Sequence, residues 1–362
     1  MSTPKPYIAG ITSYQPGLPV ELAVREHGTT LEQIIKLASN ENPLGPSPKA
    51  SQAARLALTG VHQYPEQYTL VQALASHCKV DPACVVLGNG SNDVLDLIAR
   101  VYMGEGDEAI FSRYGFAVYQ IVISSAGADT IVVPSKNFGP DLPSIVGSIT
   151  PRTKVIWLDN PGNPTGAFVP YDKVLAFVRQ VPSNIMVVLD EAYYEYLDPD
   201  DRANTPAWLA EHPNLIIVRT FSKIYGLAGM RVGYGIAVPE VAELLNRVRQ
   251  PFNVNVPAIA AALAALRDQD FVRKSYRQNK AGLVQLRDGL IRLGLACLPA
   301  YGNFVTVQIP DAARVYKALL QRGIIVRPLA GYGMPDYLRI TVGTSAQNSK
   351  LLTALAEILA TM

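Results

Sequence analysis

The sequence predicts an α/β fold: a mostly parallel seven-stranded sheet between helices, with a smaller α+β domain beside it. Three observations lead there. Seven short apolar runs lie between residues 83 and 238, stretches of helical character separate them, and the pattern changes after PFNVNVP (251–257). Strands that alternate with helices build parallel sheets covered on both faces. Such buried strands are apolar almost throughout rather than at every second residue.

In chain order, the stretch from about 31 to 60, with KLASNENPLGPSPKA in it, is rich in Pro, Asn and Ser and reads as an irregular segment leading into a short helix. The seven candidate strands are ACVVLG, EAIFS, DTIVVP, KVIWLD, IMVVLD, LIIVRT and RVGYGIAV. Beyond 257 a helical region runs to about 294. Strands near 296–309, 324–329 and 338–343 follow, with helices at 311–322 and 347–361. The expected division is a large domain over 45–255 and a discontinuous small domain made of 1–44 and 256–362. Function is expected in the loops at the carboxyl ends of the large-domain strands.

Composition narrows the classes. Of 362 residues, 49% are hydrophobic and 17% charged, which supports a sizeable core. The 32 basic and 30 acidic residues leave a net charge of +2 with no block of one sign, so neither nucleic acid nor a membrane surface is an expected partner. Three cysteines, Cys78, Cys84 and Cys297, lack CxxC spacing and read as reduced thiols of a cytoplasmic protein. Four scattered histidines give no ligand spacing, so no metal site is expected. The start, MSTPKPYIAG, has no signal-peptide pattern, and no apolar run reaches the ~18 residues of a membrane span.

Four strand ends carry polar signatures. The first ends in GNGSND (88–93), either a tight turn or a place where backbone N–H groups meet an anion at a helix N-terminus. The fourth ends in Asp159-Asn160-Pro161-Gly162-Asn163-Pro164-Thr165-Gly166, a turn-forming composition. The fifth ends in Asp190-Glu191-Ala192-Tyr193, where the acid is a helix cap, a metal ligand or a cofactor partner. The sixth ends in Thr220-Phe221-Ser222-Lys223, with Arg231 eight residues on. A lone lysine at a strand end is usually solvated. Hydroxyls plus a guanidinium, however, form a phosphate-binding set. A lysine beside that set, with an acid and an aromatic hydroxyl on neighbouring strands, is what pyridoxal 5′-phosphate (PLP) chemistry requires. Another Ser-Lys pair, Ser135-Lys136, has Ser144 rather than an arginine eight residues on.

With these motifs the sequence resembles the fold-type I PLP-dependent aminotransferases, and among them the histidinol-phosphate branch. The resemblance runs from SYQPGLPVEL (13–22) through SNENPLGPSP, GNGSND, NPTG, DEAY, TFSK and RVGY to LRITVGT (338–344). It implies that Lys223 holds PLP as a Schiff base and shuttles a proton, and that Asp190 pairs with the pyridine nitrogen. Tyr193 and Asn163 would bond the ring oxygen O3′. Backbone donors of Gly90, Ser91 and Asn92, with Thr220, Ser222 and Arg231, would hold the phosphate. Phe116, rather than Tyr114, would stack on the ring. Tyr64 matches a tyrosine that reaches the cofactor of the other subunit, which implies a homodimer. Arg339 and Arg327 would bind the anionic groups of the substrates, histidinol phosphate and glutamate or 2-oxoglutarate. Tyr14 and Asn42 would lie in an N-terminal segment that closes over substrate. The expected reaction belongs to histidine biosynthesis. GNGSND and YPEQ depart from the GNGSDE and YPDG of many relatives, in loops that act through backbone or tyrosine.

Three rivals remain. An aromatic amino acid aminotransferase would also bind a flat ring and use an arginine for the carboxylate. A threonine-phosphate decarboxylase shares much of the scaffold. A PLP-sensing transcription regulator would need a helix-turn-helix domain, for which the enzyme fold leaves no room in 362 residues.

Overall fold

A computed structural model describes residues 2–14, 30 and 34–362. A four-residue helix α1 (Pro6–Ala9) and a short strand β1 (Ile35–Lys36) precede α2 (Pro48–Ala57) and α3 (Tyr68–Cys78). Ser47 starts α2 by accepting the N–H of Ala50, with Pro48 in the first helical position, where its missing donor costs nothing.

The large sheet is built next, from β2 (Val85–Gly88), β3 (Glu108–Ser112), β4 (Asp129–Val133), β5 (Thr153–Asp159), β6 (Met186–Asp190), β7 (Leu215–Thr220) and β8 (Gly233–Ile236). Crossover helices between them are α4 (Ser91–Tyr102), α5 (Val118–Ala126), α6 (Leu142–Gly147) and α7 (Tyr171–Val178). All seven expected strands are present, in the order β2-β8-β7-β6-β5-β3-β4. Only β8 runs antiparallel to its neighbours. Every residue of β3, β6 and β7 is buried, whereas β4, at the sheet edge, has a half-exposed pattern.

The chain visits β3 and β4 and then returns through β5, β6 and β7. That reversal opens a crevice beyond the strands' carboxyl ends, where ligands bind in such sheets. The register places Asp159 of β5 directly beside Asp190 of β6.

Helix α8 (Pro239–Val248) leads to α9 (Val256–Arg267), which Asn255 caps by accepting the N–H of Ala258. Its alanines, Ala258, Ala261, Ala262 and Ala265, let it lie close against α2 and share the core of the large sheet. Residues 256–267 thus pack with the large unit, because their small apolar face is buried there. The long α10 (Gln269–Arg292) follows. Then come β9 (Phe304–Gln308), α11 (Ala312–Gln321), β10 (Ile324–Ile325), β11 (Arg327–Pro328), β12 (Tyr337–Thr341) and α12 (Ser345–Ala360). Strands β11, β12 and β9 form an antiparallel sheet, and β1 pairs with β10. Ile35 and Leu37 join the apolar cluster of these C-terminal elements, so the chain's beginning is stitched to its end. No helix among the described residues is long and apolar enough to cross a membrane.

Candidate active site

The crevice holds a cavity of about 250 Å³. One wall comes from the end of β6. Side chains alternate along a strand, so Asp190 enters the cavity while Glu191 turns away to Arg219, Tyr171 and Thr205. Asp190 Oδ2 accepts the Tyr119 hydroxyl at 3.0 Å and Oδ1 accepts the Ala192 N–H at 3.1 Å. Burial pushes its carboxyl up to about 6. Tyr119, on α5, is stacked on Trp157 and meets Phe116 edge to face at 5.9 Å. Phe116 lies three residues before it and presents its ring to the cavity.

Lys223 follows β7. Its Nζ donates to the Ser39 carbonyl at 3.3 Å and lies 5.5 Å from the centre of the Tyr193 ring. Burial, and then the Arg339 guanidinium, lower its amine to about 8. An amine so depressed has a substantial neutral, nucleophilic fraction near neutral pH. The Tyr193 hydroxyl accepts from the Asn40 amide at 2.8 Å.

An anion-binding end lies where α4 begins. Gly90 (φ 83°) takes a left-handed turn before Ser91, which opens the helix. A Cβ on Gly90 would stand 2.0 Å from an Arg231 nitrogen, so glycine is what lets that guanidinium lie against the turn. Arg231 also donates to the Ser222 hydroxyl at 3.3 Å, and Thr220 accepts the Ser222 N–H. A helix N-terminus, hydroxyls and a guanidinium converge there, a set suited to phosphate.

A second cationic end comes from the small sheet. Arg327 of β11 and Arg339 of β12 are register partners, so both project from one face. Arg339 is buried and donates to Asn163 Oδ1 at 2.5 Å and the Ala38 carbonyl at 2.7 Å. Its Nε is buried without a hydrogen-bond partner among the described residues, a donor left for a ligand. Arg327 stands over the Tyr14 ring at 5.7 Å.

The cavity thus gathers Tyr14, Ser91, Asn92, Phe116, Asn163, Asp190, Tyr193, Thr220, Ser222, Lys223, Arg231, Arg327 and Arg339, with Gly90 behind. Asn42 is not on its wall. It is buried nearby, and its amide donates to the Ile224 carbonyl and Ser275 hydroxyl, so it fastens the SNENP segment to the fold. Tyr114 stacks on Phe138 outside the cavity. Tyr64 is also outside it, exposed and stacked on Phe252 at 4.5 Å. Residues 15–22 of the predicted closing segment lie outside the described residues. Sequence reasoning missed Asn40, Glu41, Tyr119 and Asp159, of which all but Tyr119 line the cavity. The three-residue spacing from Phe116, one face of a helix, was a signal for Tyr119. Asp159 had one in its place at the end of a strand beside Asp190.

A sequence profile described as aminotransferase class I and II matches residues 32–355. The chain is 52% identical to histidinol-phosphate aminotransferase 1 of Dechloromonas aromatica, covering 98% of both chains. It is 51% identical to histidinol-phosphate aminotransferase 1 of Thiobacillus denitrificans, over 99% of this chain and 94% of that one. Among solved structures it is similar to histidinol-phosphate aminotransferase from Sinorhizobium meliloti in complex with pyridoxal-5′-phosphate. That match has a TM-score of 0.92 at 30% identity and covers 100% of this chain and 98% of the other.

Proposed function

The chain belongs to the class I and II aminotransferases, and on that premise we propose the reaction it catalyses: histidinol phosphate and 2-oxoglutarate give imidazole-acetol phosphate and glutamate, with PLP as cofactor. Roughly half of all residues are shared, end to end, with enzymes named for that substrate. The single structural observation that carries the reading is the register pairing of Arg327 with Arg339. Two guanidiniums on one face suit a doubly charged phosphate ester better than a lone carboxylate.

The residues fit PLP. A lysine with a lowered pKa, a carboxylate oriented by one donor on each oxygen, an aromatic face and an anion-binding helix start surround one cavity. Lys223 would carry the cofactor. Asp190 would meet its ring nitrogen, Phe116 its face, and Tyr193 with Asn163 its ring hydroxyl. Ser91, Asn92, Thr220, Ser222 and Arg231 would take its phosphate. When bound, PLP supplies an electron sink for the charge left on substrate carbon.

The chain's own groups do the rest. Lys223 Nζ, neutral in part at working pH, would take the proton from substrate Cα and pass it to the cofactor's C4′ carbon. Tyr119 and the Ala192 N–H orient the Asp190 carboxylate. Asn163 and the Ala38 carbonyl fix the Arg339 guanidinium in plane before substrate arrives, so little ordering is left to do on binding.

The protein would work in the cytoplasm as a homodimer in which Tyr64 completes the neighbour's site. Supporting this, Leu56, Leu58, Val61, Tyr64, Tyr68 and Phe252 are all exposed, an apolar surface that a second copy would cover. The chain would divide into a large unit around the seven-stranded sheet and a small one around β9, β11 and β12, joined by α10.

The test is a half-reaction screen. Candidate amino donors are added to the PLP-loaded protein, and loss of its visible absorbance is followed. Histidinol phosphate should discharge the band at far lower concentration than phenylalanine or threonine phosphate. Phenylalanine as the better donor would establish the aromatic alternative instead.

A further inference from the structure

We infer that Asp159 is a second carboxylate serving the ring-nitrogen end of the cofactor, a positioning residue that adds negative charge beside Asp190. The inference rests on PLP being bound as proposed above. Asp159 closes β5 and is the direct register partner of Asp190 at the end of β6. Register partners on adjacent strands face the same side of the sheet, and both acids line the one cavity. Only part of Asp159 is spent on the scaffold. Its Oδ2 accepts the Asn163 N–H at 2.8 Å, which holds the loop whose amide side chain reaches Arg339.

The groups around it are Asp190 on the neighbouring strand and Tyr119 from α5. Lys223, Tyr193, Arg231, Arg339 and Glu41 share the cavity. Burial first, opposed by the Asn163 N–H and reinforced by Asp190, brings the Asp159 carboxyl to about 7. Its charge therefore switches within the working range of pH. Above that point two adjacent carboxylates face a ring nitrogen whose protonated form each favours; from there down to about 6 only Asp190 does.

The decisive variant is Asp159→Asn, which keeps an oxygen to accept the Asn163 N–H but cannot ionise. Wild type and variant are loaded with PLP labelled with ¹⁵N in its ring, and the ring-nitrogen chemical shift is followed from pH 5 to 9. The wild type should show a step in the neutral range toward the protonated form as pH rises. The variant should lack that step and keep a less protonated ring above about pH 7. The pKa of the visible band should also fall by roughly one unit, the effect of removing one nearby charge at intermediate dielectric. Asp159→Ala, which loses the acceptor as well, should lose PLP affinity in addition.

Identical ¹⁵N and visible titrations in Asp159→Asn and wild type would overturn the inference. Asp159 would then only tie down the loop. Wild-type protein that takes up no PLP at all would overturn the cofactor reading itself, a separate result seen before any variant is made.

Discussion

An ordinary lysine is about 0.1% neutral at pH 7.5, whereas one with its pKa at about 8 is about a quarter neutral, a difference of roughly 240-fold. Lys223 is placed in the second group by burial, aided by the Arg339 and Arg231 guanidiniums across the cavity. Competitive labelling reads this directly. Cofactor-free protein is treated with a trace of an amine-selective acylating reagent at pH 6 to 11, then digested and mapped by mass. Labelling of Lys223 should climb through pH 8 and level off by about 9.5. In Arg339→Ala the midpoint should move upward, since a like charge has gone. A midpoint for Lys223 above pH 10 in the wild type would refute the reasoning. The sign for stability follows from the same shift. The folded state binds this proton less tightly than the unfolded chain. Its penalty is therefore full below pH 8 and relieved as pH rises from 8 to 10.5.

Four further outcomes are expected. Asp190→Asn should keep its fold and some PLP while slowing substrate Cα–H exchange by several orders of magnitude, because a neutral amide no longer favours a protonated ring nitrogen; deuterium wash-out measures it. Arg327→Ala should cost histidinol phosphate about 10- to 150-fold in apparent affinity, from the ~1.5–3 kcal/mol of a charge-assisted bond, and phenylalanine much less; equal losses would point to a structural role. Mixing Lys223→Ala with Tyr64→Ala subunits should restore one working site per mixed dimer, whereas activity no higher than either parent would place Tyr64 within its own chain. Finally, burial raises Glu195 to about 7, so its contribution to stability is greatest below about pH 4.5 and is lost as pH climbs to 7. Thermal melts of Glu195→Gln should lack that part of the wild type's decline, and parallel melting curves would argue against it.

The seven strands were legible because each is a continuous apolar run, and their order of function was legible because polar residues end four of them. The packing partner of helix α9 was not legible in the sequence, for a physical reason. VPAIAAALAALR is apolar on nearly every face, so periodicity could not say which core it enters; its small residues fit against α2. Asn42 and Asn40 show the limit at the site. Both stand in SNENP, and which one faces the cavity depends on the left-handed turn at Asn40 (φ 55°), a backbone choice that residue types alone do not reveal. Asp159 was read as the start of a turn, since nothing in one strand's sequence tells which residue of another lies beside it.

The pairing of Asp190 with Glu191 explains why the strand end carries two acids with different tasks. Strand geometry sends them to opposite faces. Glu191 is fully buried, yet it accepts a bond from Arg219 Nε at 2.8 Å, lies 2.7 Å from another nitrogen of that guanidinium, and accepts one bond from Tyr171 at 2.7 Å and others from Thr205 at 3.0 Å. Arg219 in turn lies 4.0 Å from the centre of the Tyr194 ring. A buried ion pair adds little net stability over a well-packed apolar pair, because desolvation offsets the attraction. Removing one partner, however, leaves an uncompensated charge, at a cost of about 3–5 kcal/mol. The cluster therefore acts as a lock on geometry rather than a source of stability. Arg219 sits on β7 immediately before Thr220, and Glu191 immediately after Asp190 on β6. The lock thus joins the two strand ends from behind and holds in register the acid and the hydroxyl that face the cavity in front.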